Sequence, residues 1–393
     1  MIRQIRVKNF KSLRDVSLSL GPRNVLVGPN MSGKSNLIDV FRFLARMVFP
    51  KPDTAGLLNA FTALGGFSEV AWKGGDSNLI SISLDGDGLL GSGPEKRARW
   101  SYEISILGDL TRGWVTVQEE VLRVSGPGGQ YKLIDNAEGH RVLKNSDGGM
   151  VSRADDRNRS ALEFEIPDWE GNALRAFISS WRFYRLLPQL MKRSNPTAAV
   201  NFLTEHGDNI SSWLMNLQTR YRESFDKIRG VAKDVFPELE DLFTTPTQQA
   251  TVYLASWEKH LKQPVSVWQM SDGQLSFIAL LSLIFAPFDL GAALYCVEEP
   301  ENHIHPRLLE TLVELLKQVQ DELGPEQSAQ VLATTHSPYL VDKVGLDELI
   351  VVERCDGVTV CTRPSDKRHL RELLEREEVG LGDLYYSGAL GSA

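Results

Sequence analysis

Gly28-Pro29-Asn30-Met31-Ser32-Gly33-Lys34-Ser35 is the stretch that decides the fold. Ahead of it, Asn24-Val25-Leu26-Val27 is a short apolar run of strand type. Behind it, Leu37, Ile38, Phe41, Leu44 and Val48 recur at helical spacing. Strand, glycine-rich loop and helix in this order are the setting a phosphate-binding loop requires. The glycines let backbone N–H groups turn inward around an anion. The following helix adds the positive end of its dipole. Lys34 is then placed to reach the β- and γ-phosphates of a nucleoside triphosphate, and the Ser35 hydroxyl to ligate Mg²⁺.

Three later segments say what such a loop would be used for. Leu294-Tyr295-Cys296-Val297 is a buried-type apolar strand that ends in Glu298-Glu299. Carboxylates at the end of such a strand are costly without a partner, and a divalent ion beside a triphosphate is one. Glu298 is expected on the Mg²⁺ side, and Glu299 is expected to orient or deprotonate the attacking water. The strand Val331–Thr335 leads to His336, whose imidazole can donate a hydrogen bond to a γ-phosphate. Ser271-Asp272-Gly273-Gln274 opens a further helix; Ser271 as N-cap and the free N–H groups make a second anion site. One subunit cannot easily bring two such helix ends to one γ-phosphate. A two-fold dimer can, each Ser271 loop closing its partner's phosphate loop.

The rest of the chain gives the frame. Ile2–Val7 reads as an edge-type strand and Val16–Leu20 as a second. Residues from about 66 to 135 alternate as strands, and 136–160 are polar and glycine-rich like an exposed loop. Residues 197–245 read as helical, without sustained heptads. Helix 274–285, strand 294–297, helix 306–322 and strand 330–334 follow the rhythm of a parallel α/β sheet. Ile350–Val352 and Val358–Val360 suggest a closing hairpin. The fold class is α/β, with a β-rich lobe and a helical insertion; the domains expected are a discontinuous head, 1–190 and 263–393, and the insertion 191–262.

Composition removes several classes. The 393 residues are 42% hydrophobic and 24% charged with net charge -8, so the protein is no polycation and nucleic-acid contact needs local basic clusters. Lys96-Arg97-Arg99, Arg153-Arg157-Arg159, Arg182-Arg185 and Lys192-Arg193 are such clusters. The three cysteines, Cys296, Cys355 and Cys361, form no CxxC pair. With an N-terminus lacking a leader-like apolar core, they fit the cytoplasm. Ser276–Val297 is apolar enough to suggest a membrane span, but Pro287, Asp289 and Gly291 interrupt it. Glu301, His303 and His305 invite a zinc reading, yet no further ligand stands at metal-site spacing.

Phosphate loop, Ser271-Asp272-Gly273-Gln274, Glu298-Glu299 and His336, in this order, resemble the head of an ABC-type P-loop ATPase. Val7-Lys8-Asn9-Phe10-Lys11-Ser12-Leu13 and the run Gly28–Asn36 are similar to the RecF/SMC branch. Glu298-Glu299-Pro300-Glu301-Asn302-His303-Ile304-His305-Pro306 and Thr334-Thr335-His336-Ser337-Pro338 resemble the overcoming-lysogenization-defect (OLD)-like, AAA-annotated defence ATPases, as does the ending Leu381–Gly391. The resemblance implies ATP and Mg²⁺ as ligands. It implies nucleotide contacts from Lys11, from Gly28, Pro29, Asn30, Met31, Ser32, Gly33, Lys34, Ser35 and Asn36, and from Ser271, Gly273 and Gln274 of the second subunit. Three departures stand out. Glu298 occupies a position where Asp is usual, no glutamine lies between Gln4 and Gln118 to serve as the Q-loop, and the stretch after His336 is short for a Toprim nuclease domain.

The function expected is an ATPase that dimerises on ATP and controls a nucleic-acid-directed partner, such as a separate nuclease or Toprim-type protein in phage defence or DNA repair, with DNA as a possible further contact. The alternatives are the ATPase subunit of a membrane ABC transporter and a regulatory module that binds ATP without turnover.

Overall fold

The computed structural model describes residues 1–49, 55–75, 77–88, 98–110, 113–126, 129–324, 327–366 and 380–390. The chain divides into two units, Met1–Trp181 with Leu346–Glu378 and Ser387–Ala393, and Arg182–Gly345 with Val379–Tyr386.

The first unit begins with β1 (Ile2–Phe10), β2 (Leu13–Ser19), β3 (Arg23–Val27) and helix α1 (Lys34–Val48). Two short helices, α2 (Gly56–Thr62) and α3 (Phe67–Val70), follow, then β4 (Leu79–Asp87), β5 (Arg99–Gly108), β6 (Val115–Gly126) and β7 (Gly129–Ala137). β8 (His140–Lys144), β9 (Met150–Asp155) and α4 (Asn172–Ser179) complete the series. An antiparallel sheet runs in the order β2-β1-β4-β5-β6-β7-β8-β9. Its strands alternate because one face is buried, as in β5, where Trp100, Tyr102, Ile104 and Ile106 point inward. α1 buries Leu37, Ile38, Phe41, Leu44 and Val48, and its Phe43 links an aromatic row in which Phe10–Phe43, Phe43–Phe61 and Phe61–Phe67 centroids are 5.8, 4.9 and 5.5 Å apart.

Two expectations change here. β1 is no edge strand: β2 pairs on one side and β4 on the other. The polar segment 136–160 is no loop throughout; it carries β8 and β9, joined to β7 by antiparallel pairing. Polar, half-exposed strands at a sheet's end give little apolar alternation to read.

The second unit contains β10 (Arg182–Tyr184), α5 (Pro188–Met191), β11 (Asn195–Pro196), α6 (Ile210–Arg220) and α7 (Arg222–Val235). β12 (Leu239–Pro246), β13 (Thr251–Glu258), β14 (Val265–Ser266), α8 (Asp272–Ile284) and β15 (Leu294–Glu298) come next. α9 (Pro306–Leu323), β16 (Gln330–Thr335), α10 (Pro338–Lys343) and α11 (Leu381–Tyr386) close it. β10, β15 and β16 are parallel neighbours, as the α/β rhythm requires. The stretch expected to be helical holds α6 and α7, but it also carries β12, and an antiparallel sheet of β11, β13, β12 and β14 packs with it.

α8 is apolar on every face, with Leu275 to Leu283 buried, and Trp213 donates its indole N–H to Ser282 Oγ at 3.0 Å. That all-round burial is why Ser276–Val297 looked membrane-like. No helix among the described residues is long and apolar enough to cross a membrane. Returning to the first unit, β17 (Leu349–Cys355) runs parallel to β3 and turns into β18 (Val358–Thr362), the expected hairpin.

Candidate active site: a phosphate loop and an acidic strand end

In the first unit, β3 delivers the chain into Gly28 at φ 154°, and Gly33 caps α1 at φ 110°. Both glycines are required by close approach, of backbone at Gly28 and of a side chain at Gly33. A Cβ on Gly28 would lie 2.0 Å from the Val352 carbonyl oxygen, and one on Gly33 2.1 Å from Thr359 Oγ1. No side chain caps α1 and its first turn holds no acidic residue to repel an anion. Lys34 is 6% exposed; its ammonium donates to the carbonyls of Gly28 at 2.8 Å and Pro29 at 2.9 Å. The loop thus curls around its own lysine. Ser32 is buried with an unpartnered hydroxyl, the kind of orphan donor an incoming phosphate oxygen would satisfy. Met31, at φ 65°, stands exposed at the tip.

Asn36 Nδ2 donates to Ser12 Oγ at 2.6 Å, tying α1 to the β1–β2 turn. Lys11, at φ 48°, has its ammonium 2.5 Å from Asp39, and Asp39 also pairs with Arg42 at 2.7 Å. Lys11 is therefore held against α1 by Asp39, with further ammonium protons left for other acceptors.

In the second unit, Glu298 ends β15 opposite Thr334 of β16. Glu299 follows at φ 50°, a left-handed conformation uncommon for this residue type and frequent at functional sites. Its N–H donates to Thr334 O at 3.0 Å and to Thr334 Oγ1 at 3.2 Å. Its carboxylate accepts from Asn302 Nδ2 at 2.9 Å and lies 3.6 Å from His336 Nε2. Glu301 Oε1 accepts from Thr335 Oγ1 at 2.6 Å and from the His336 N–H at 2.8 Å. Acid and histidine, 37 positions apart in sequence, are thus brought together. Asn302 and Glu301 lie within the quoted motif, but their contacts were not readable from it.

Ser271 caps α8 in a closed capping box: its hydroxyl accepts from the Gln274 N–H at 3.2 Å, and Gln274 Oε1 accepts from the Ser271 N–H at 3.0 Å. A Cβ on Gly273 would lie 2.8 Å from the His303 carbonyl oxygen. Asp272 pairs with Lys192 at 2.6 Å and stands 3.9 Å from His303 Nδ1. The motif loop and the acidic loop of one unit therefore brace one another.

His305 N-caps α9 through Nδ1, with Pro306 in the first turn, and no cluster of three or more His, Cys, Asp or Glu is found among the described residues.

Several members of the basic clusters are engaged within the protein. Arg159 stands 3.9 Å from Glu163, Arg193 is 2.5 Å from Asp208, and Arg182 lies over the Phe202 ring. Lys96 and Arg97, like Gly391 of the terminal motif, lie outside the described residues.

A phosphate loop between a strand and a helix, in an α/β fold with a β-rich lobe, defines a P-loop ATPase head. Comparison with known proteins narrows the class. The family described as "AAA domain, putative AbiEii toxin, Type IV TA system" matches residues 23–342. An OLD nuclease of Thermus scotoductus is 38% identical over 393 residues, covering 97% of this chain and 68% of that protein. A solved structure of an SMC head bound to the C-winged helix domain of ScpA superposes with TM-score 0.56 at 14% identity, covering 93% of this chain and 99% of that one, which shows the fold. The chain belongs to this AAA-domain family and is related to the OLD nuclease.

Proposed function

We propose that the protein hydrolyses ATP as a two-fold dimer closed by nucleotide, and that this cycle controls a nucleic-acid-directed effector. The observation that carries it is Glu299, turned to φ 50° with its carboxylate between Asn302 and His336 at the end of β15. A carboxylate held this way is suited to take the proton of an attacking water, and His336 to donate a hydrogen bond to the γ-phosphate. Lys34 and N–H groups of the loop after Pro29 bind the phosphates, with Gly28 and Pro29 shaping the loop and Asn36 and Lys11 flanking them. Ser35 and Glu298 would hold Mg²⁺, which would neutralise phosphate charge.

The exposed Ser271 cap supports the dimer. Its box is closed on itself, so the start of α8 is rigid before any ligand arrives. In the proposal, Ser271, Gly273 and Gln274 serve the partner subunit's nucleotide. The ATPase head is assigned to 1–190 and 263–393, with 191–262 inserted in it, and the setting is the cytoplasm. Kinship with an OLD nuclease makes a nuclease the effector of choice, in phage defence or DNA repair, with DNA as its target.

Size-exclusion chromatography with light scattering on Glu299→Gln tests this. With ATP and Mg²⁺ the variant should run as a stable dimer, without ATP as a monomer, and its phosphate release should be near zero. A variant that binds ATP yet stays monomeric would count against the closed dimer.

A further inference from the structure

Thr359 lies on β18, 1% exposed, and belongs to none of the motifs. Its hydroxyl donates to the Ser32 carbonyl at 2.7 Å. That bond uses its only proton, so in the 2.6 Å contact with Ser12 Oγ the donor is Ser12. Ser12 Oγ in turn accepts from Asn36 Nδ2 at 2.6 Å. The donors therefore run one way: Asn36 to Ser12, Ser12 to Thr359, Thr359 to the loop carbonyl. Bonds aligned head to tail strengthen one another in a buried setting. The Thr359 N–H also donates to Ser12 O at 2.9 Å, which fixes the strand to the β1–β2 turn.

The consequence for the loop follows from the planar trans peptide. Holding the Ser32 carbonyl toward Thr359 turns the next N–H, that of Gly33, to the opposite side, where a phosphate-loop anion is cradled. We propose that Thr359 is a positioning residue of the nucleotide site, aligning the Ser32–Gly33 peptide before ATP binds. The inference rests on the reading of Gly28–Ser35 as a nucleotide site. Gly33 reinforces it: any Cβ there would strike the Thr359 side chain, so hydroxyl and loop are fitted to each other.

The experiment measures ATP and ADP affinity by calorimetry and steady-state turnover for wild type, Thr359→Val and Thr359→Ser. Thr359→Val keeps shape and removes the donor. It should weaken both nucleotides about tenfold, or about 1.4 kcal/mol, and raise KM by the same factor while kcat at saturation moves less than about twofold. Thr359→Ser should restore affinity, which a purely steric role of the strand would not allow. If Thr359→Val does not fold, Ser12→Ala breaks the relay one step earlier and should cost about threefold in affinity. Wild-type affinity in Thr359→Val, or in Ser12→Ala where that variant stands in, overturns the proposal while leaving the ATPase reading intact. A wild-type protein that binds neither nucleotide overturns both.

Discussion

Replacing Gly28 by Ala should damage the protein before any nucleotide is present. The new Cβ would sit 2.0 Å from the Val352 carbonyl oxygen, where real Cβ contacts stay beyond 3.0 Å. At least 1 Å of separation must therefore be found. Neither side yields easily, because β3 and β17 are parallel neighbours paired through Leu349↔Val25, Ile350↔Leu26 and Val351↔Val27. The φ of 154° adds strain for an L side chain. Overpacking against backbone together with this strain costs roughly 2–4 kcal/mol. In a chain of 393 residues that lowers Tm by about 2–5 °C. Gly230, exposed in α7 with nothing within 4 Å of its Cβ position, is the control. Gly230→Ala should stabilise by about 0.5–1 kcal/mol through helix propensity alone. Thermal unfolding followed by circular dichroism without nucleotide separates folding from ligand linkage. A Gly28→Ala protein melting within about 1 °C of wild type, or a Gly230→Ala protein falling as far, would refute the close-approach argument.

Two further outcomes are expected. Ser271→Arg should spare ATP binding by the monomer, measured by fluorescent-nucleotide titration, but block ATP-driven dimerisation and turnover; lost binding in the monomer would mean the loop serves its own subunit's nucleotide. Glu120 is fully buried, and burial pushes its carboxyl above its ordinary 4.5 against the opposing pull of Ser160, the Ala161 N–H, Tyr102 and Arg141. A raised native pKa means the folded state keeps the proton longer, so the contribution is whole below 4.5 and is lost as pH rises through the native value. Glu120→Gln should therefore gain on wild type in urea midpoint as pH climbs from about 4.5 to 7, and a flat difference would count against it.

The strand–loop–helix unit was legible because three local signals agree: an apolar run, glycines where backbone crowds, and helical spacing after Lys34. The capping role of Ser271 was legible for the same reason, since a cap needs only residues three positions away. β12 and β13 were missed beside two well-formed helices, because short strands carry a weaker pattern than α6 and α7. β1 alternates because it buries one face of an internal position, and alternation alone does not tell an edge from a centre. Contacts such as Glu301 to the His336 N–H, or Thr359 to Ser32, depend on strands meeting across many intervening residues, and no spacing rule encodes them.

Ser32 and Thr359 are separated by 327 positions along the chain. During synthesis the phosphate loop emerges early, while the β17–β18 hairpin that faces Gly28 and Gly33 is still unmade. At roughly 5–20 residues per second, the loop waits about 15–65 seconds for that floor. A nascent chain can thus carry every nucleotide motif and still lack a formed phosphate cradle, so competence to engage ATP waits for the β17–β18 hairpin to emerge.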